Sequence, residues 1–74
     1  MTLFARFYRN EDILSIMTEW SYEKNDYTYI AEYYGWNSGA YLYLEGIDTY
    51  LDALKVLAIK KQEVEREASR LYLN

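Results

Sequence analysis

The side chains with which this chain could do chemistry are carboxylates, phenols and little else. It has no cysteine and no histidine, so thiolate and imidazole nucleophiles, their triads and the usual zinc ligand sets are excluded. No serine sits in a glycine-flanked elbow. Gly35-Trp36-Asn37-Ser38-Gly39 has two glycines four apart but no lysine after them, so it lacks what a phosphate-cradling loop needs. Glu45, Asp48 and Asp52 are spaced three and four apart and, on an early-starting helix, could face a hard cation together. Acids at a helix start are stabilising without any ligand, and capping explains them better than a metal does. A pair of glycosidase carboxylates needs a substrate cleft larger than a chain of 74 residues readily builds. The expectation is a protein without catalysis, metal or cofactor.

The aromatic content is what stands out. Ten tyrosines and two tryptophans exceed what so small a core can hold, and tyrosine gives large contact area with little rotamer entropy to lose. Tyr27, Tyr29, Tyr33, Tyr41 and Tyr43 fall in two neighbouring β-rich segments and are expected to line one face, with Glu32 and Glu45 among them and Trp36 at the turn between. Cross-strand tyrosines that merely stabilise a small sheet are the competing explanation.

Charge separates along the chain. Residues 10–54 carry nine acids against Lys24 alone, a net of −8, while Arg6 and Arg9 at one end and the mixed segment from Lys55 onward at the other are each +2. So acidic a body repels phosphate backbones, which argues against direct nucleic-acid binding, and it attracts basic protein surfaces; acidity serving solubility alone is the plainer reading. No apolar run is long enough to span a membrane, and the first residues do not read as a secretory leader. The chain reads as cytoplasmic.

These residues need elements to hold them. Residues 1–74 make one domain of a size that buries only about 60% of its unfolded surface. Leu3–Tyr8 favours a strand. Asn10 looks like an N-cap, with Glu11 and Asp12 in the first turn and Ile13, Ile16, Met17 and Trp20 at helical spacing, which predicts a helix over 11–22. Residues 27–34 and 40–45 read as a hairpin across the Gly35–Gly39 turn, with Leu42 and Leu44 facing the core. Asp48 or Thr49 caps a long final helix. Residues 50–59 are apolar at nearly every position, implying burial on several sides. Leu57, Lys61, Val64, Ala68 and Leu71 continue a heptad seam that could pair with a second copy or lie on the chain's own sheet.

The predicted fold is therefore α+β, a β-α-β-β-α domain with both helices on one face of a three-stranded antiparallel-type sheet; an all-α chain is the alternative. The expected function is protein binding through the acidic, tyrosine-rich surface. If the partner's basic patch normally holds a nucleic acid, the domain inhibits by occupying it. Small phage-encoded anti-defence inhibitors work in this style, in the host cytoplasm, although no motif ties the chain to them. The alternative function is a homodimer or larger assembly built on the helix seam.

Overall fold

The computed structural model describes the backbone of residues 1–9 and 11–73 and the side chains of these up to residue 70. The proposed cap at Asn10 and the seam residue Leu71 therefore lie outside the described residues and side chains. The chain is α+β. Four strands, β1 (Thr2–Arg9), β2 (Asp12–Ser21), β3 (Asp26–Gly35) and β4 (Tyr41–Ile47), precede one helix, α1 (Tyr50–Leu73). The strands form an antiparallel meander in the order β1-β2-β3-β4. The hairpin expected across Gly35–Gly39 is present, which removes the all-α alternative.

The helix expected over 11–22 is instead β2, so the sheet has four strands and a single helix lies on it. The reason lies in β2's position. As an inner strand it buries residues of both faces: Leu14 and Ile16 join the core under α1, while Ser15 on the opposite face is only 2% exposed. A strand covered on both sides loses its two-residue alternation, and the run Ile-Leu-Ser-Ile-Met can then match a helical spacing by chance.

A turn and a bulge fix the register locally. Between β2 and β3 Asn25 takes a left-handed conformation (φ 55°), one that asparagine tolerates better than most residues. In β4 the pairing with β3 shifts between the Leu44 and Ile47 positions, and Gly46 adopts φ 71° there. This bulge lets Ile47 return to the core.

The main core lies between the sheet and α1: Leu14, Ile16, Ala31, Tyr33, Ile47, Ala53 and Leu57, with Tyr29, Leu42, Tyr50, Leu54 and Val64 packed against it. Leu42 fits its expected place, whereas Leu44, of the same parity, is still 43% exposed. Thr49 caps the helix by accepting the Asp52 amide at 3.0 Å. One stripe of α1 is buried, not several faces as the composition of 50–59 suggests: Leu51 and Ile59 are exposed. A helix about 10 Å wide covers roughly two strands spaced about 4.8 Å apart, and α1 lies over β3, flanked by β2 and β4. From β1 the Phe4 ring reaches it, meeting Tyr50 and Tyr29 edge-on at centroid distances of 5.0 and 5.8 Å.

Candidate partner-binding face

The register divides the tyrosines between two faces. Tyr33 pairs with Leu42, and Tyr34 with Tyr41, so Tyr29 and Tyr33 point with Leu42 toward the helix while Tyr34, Tyr41 and Tyr43 point away. The single tyrosine face expected from the sequence does not form. Tyr33 is wholly buried and Tyr29 half-buried. Tyr27 is exposed on the helix side but beyond the start of α1, where its ring meets Trp20 edge-on at 5.0 Å and Trp20 meets Tyr22.

Tyr33 has a structural task. Its hydroxyl donates to Asp12, whose same oxygen also accepts Lys61 Nζ at 2.9 Å. Burial raises the Asp12 carboxyl, but the hydrogen bonds from Tyr33 and Lys61 and the lysine's charge outweigh it and hold Asp12 below its ordinary range. Burial, and then the Asp12 carboxylate, push the Tyr33 phenol well above the ordinary tyrosine value. The trio ties the first residue of β2, the C-terminal end of β3 and the middle of α1 together. In the sequence Tyr33 reads as part of the binding face, Asp12 as an acid in the first turn of a helix and Lys61 as a member of the heptad seam; the structure gives all three to the fold.

The seam mostly lies on the chain's own sheet. Leu57 is buried in the core, Lys61 sits on Asp12, and Val64 packs against the core. Ala68 is half-buried beside the Trp36–Ala40 turn, lining with Asn37, Ser38 and Val64 an open groove of about 730 Å³. The heptad spacing thus reports the fit of one helix on a sheet at least as far as Val64.

The face away from the helix has a different character. Ile30 is completely buried there although it does not belong to the core cluster under α1. Met1 and Tyr43 reach toward each other across it: Met1 Sδ lies 3.8 Å from the Tyr43 hydroxyl, although β1 and β4 are the two outermost strands. Around this roof stand the acids. The Tyr41 hydroxyl donates to Glu32 at 2.8 Å, and this bond raises the phenol's pKa. Tyr43 is raised too, by burial and by the carboxylate of Glu45, with Glu19 and Glu32 adding to it. Two phenols therefore stand among three carboxylates, and no lysine or arginine occurs anywhere in β3 or β4. Tyr43 and Leu44 are 39% and 43% exposed, Tyr41 54%.

Trp36 is 69% exposed at the adjoining turn, its ring 6.1 Å from that of Tyr34. The turn is built by hydrogen bonds from Gly35 to the Ala40 carbonyl at 2.8 Å and from Gly39 back to Gly35 at 2.9 Å. The Trp36 amide donates to the Glu11 carbonyl at 3.3 Å, and Asn37 donates to the Glu11 carboxylate, so the turn is braced against the start of β2. Trp36 is therefore held outward on a supported loop.

Of the expected binding residues, the structure gathers Glu32, Tyr41, Tyr43 and Glu45 on one face with Trp36 at its end, and removes Tyr27, Tyr29 and Tyr33 from it. Glu19 and Tyr34 join them. Glu19 escapes a reading that makes β2 helical, since only the strand parity of β2 puts it on that face. The trio considered for a cation disperses: Asp48 pairs with Lys24, Asp52 lies in the first turn of α1, and Glu45 stays in β4. Among the described residues no group of three acids stands close enough to hold a metal ion, and no helix is long and apolar enough to cross a membrane. Set against known protein families, curated proteins and solved structures, the chain matches none.

Proposed function

We propose that the chain is a non-catalytic protein-binding module that applies the sheet face opposite α1 to a basic surface of another protein, in the cytoplasm. The observation that carries this reading is the cluster of Tyr41 and Tyr43 among Glu19, Glu32 and Glu45. Carboxylates there attract lysine and arginine, and phenol rings accept the same cations on their faces. Tyr41, already held by its hydrogen bond to the Glu32 carboxylate, loses little freedom on binding. Trp36, projecting at the end of the face, serves as an apolar anchor at its rim. Where the basic surface normally holds DNA or RNA, docking excludes the nucleic acid, and the module inhibits by occupation.

The test is affinity capture from a cell lysate by the immobilised chain at low salt, followed by quantitation of each captured protein on variants. Proteins bound through this face are basic, elute as salt rises and are displaced by added DNA. They are lost when Glu19, Glu32 and Glu45 become glutamine together, and weakened by Tyr43→Ala. Capture indifferent to salt and to these changes sinks the reading.

A further inference from the structure

Both edges of the sheet are open. Strand β1 pairs only with β2, and β4 only with β3, so each presents a row of backbone donors and acceptors without partners among the described residues. Open edges invite another strand unless charges, proline, a bulge or a cover blunts them, and here each outer strand carries one or two charges and a single irregularity toward one end. Neither β1 nor β4 contains proline or lysine. Strand β1 is also bare on its faces: Leu3, Phe4, Phe7 and Tyr8 are 50, 55, 40 and 69% exposed.

The two edges are opposite in charge. Strand β1 holds Arg6 and Arg9 and no acid, whereas β4 holds Glu45 and no base and stands beside Glu32 of β3. Pairing β1 with β1 of a second copy would bring four arginines together, and pairing β4 with β4 would bring acid to acid. Joining β1 to β4 unites unlike charges.

The register makes that union fit residue by residue. Following the pairings across the sheet, Tyr8 stands level with Ile13, Tyr34 and Tyr41; Phe7 with Leu14, Tyr33 and Leu42; Arg6 with Ser15, Glu32 and Tyr43; and Ala5 with Ile16, Ala31 and Leu44. Four alternating strands leave β4 antiparallel to the β1 of a copy placed beside it, with both helices on the same side. Stacked level for level, Tyr8 meets Tyr41, Phe7 meets Leu42, Arg6 meets Tyr43 and Ala5 meets Leu44. Each pair shares a face. The irregularities of both outer strands, between Leu3 and Ala5 and between Leu44 and Ile47, fall at the same end and leave these four levels regular.

We infer that the sheet continues head to tail through a second copy of this chain, β1 of one copy adding to β4 of the next with Arg6 laid on Tyr43 among Glu32 and Glu45. The contact uses the same acidic face as the docking reading, with the chain's own basic strand as the cation. It is heterologous, so it does not close on itself at two copies. Bound this way, the neighbouring β1 extends the same face, and its Arg6 takes the Tyr43 edge that a foreign cation would otherwise meet.

Sedimentation velocity over a concentration series up to about 1 mM, a range that resolves weak contacts, tests this with two charge variants, Arg6→Glu and Tyr43→Lys. The expected result is a wild-type mass that rises past the dimer with concentration and falls with salt. Each variant alone stays monomeric, since one edge of each is spoiled. Mixed one to one, they associate again, through the intact β1 of one and the intact β4 of the other, and because the acid introduced at position 6 and the base introduced at position 43 also meet at one level, the mixture grows past the dimer as the wild type does. A wild-type chain that is monomeric throughout overturns the inference and leaves capture of basic proteins untouched; a variant that dimerises alone overturns it in favour of like-edge pairing. Should a variant fail to fold by circular dichroism, hydrogen exchange of the wild type decides. The alternate amides of 5–8 and 41–44 that point away from the chain's own sheet then slow together as concentration rises, and exchange independent of concentration overturns the inference.

Discussion

Tyr33 and Tyr43 lie on neighbouring strands and share a residue type, yet they belong to different parts of the protein's life. Tyr33 is buried under the helix, its hydroxyl spent on an aspartate that a lysine also holds. Tyr43 lies on the other face, partly exposed, with carboxylates around it. The difference is one step of strand parity. It teaches that tyrosine richness does not identify a surface: of the five phenols counted toward binding, Tyr29 and Tyr33 pack under the helix, Tyr27 lies beyond its start, and Tyr41 and Tyr43 alone stay on the proposed face.

The sharpest way to test this contrast is truncation. Tyr33→Ala should destabilise by about 3–5 kcal/mol, the range for losing a large buried aromatic ring, which is enough to unfold many domains of this size. Urea denaturation reads it. A loss below about 1 kcal/mol would mean that the trio with Asp12 and Lys61 is not holding the helix.

Next comes the ion pair. Asp12→Asn should cost about 2 kcal/mol, the order expected for a hydrogen bond to a charged group, because Lys61, 18% exposed, then keeps only the more exposed Glu65 carboxylate at 3.7 Å. The pH dependence has a definite sign. The folded Asp12 pKa lies below the unfolded value of about 3.9, so its contribution is present above that value and is lost as pH falls through the folded pKa. Acid unfolding followed by circular dichroism should therefore be shallower in Asp12→Asn.

The alkaline limb tests both faces at once. Tyr33 is raised above its unfolded pKa of about 10, so its stabilisation is complete below that value and is lost as pH rises through the folded pKa. Phenolate absorbance should show Tyr33 ionising last, with unfolding. Tyr33→Phe should remove that late step, and Tyr43→Phe should leave it.

Gly46→Ala comes fourth, with a loss of about 1 kcal/mol from a side chain forced into left-handed backbone. The smallest effect on stability belongs to the proposed binding face. Tyr43→Ala should change unfolding free energy by less than about 0.5 kcal/mol, as surface substitutions usually do, while weakening capture of basic partners. A Tyr43→Ala loss as large as that of Tyr33→Ala would erase the distinction between the faces.

Much of the architecture was legible in the residues. Strand β1, the hairpin across Gly35–Gly39 and the Thr49 cap carry local signals: β-formers, turn chemistry and a side chain that accepts an orphan amide. Strand β2 was not legible, because coverage on both faces erased its alternation. The proposed binding face suffered from the same gap. With β2 taken as a helix, Glu19 has no place beside Tyr43, and Lys61 has no Asp12 to meet 49 residues away.

The amino-acid order by itself determined the absence of cysteine and histidine chemistry, the segregation of charge and the long final helix, because composition and helical spacing are local properties. Only the tertiary structure decided which tyrosines are core and which are surface, and why a lysine interrupts the helix seam. Strand pairing sets faces by register, and register is fixed by contacts between residues far apart in the chain.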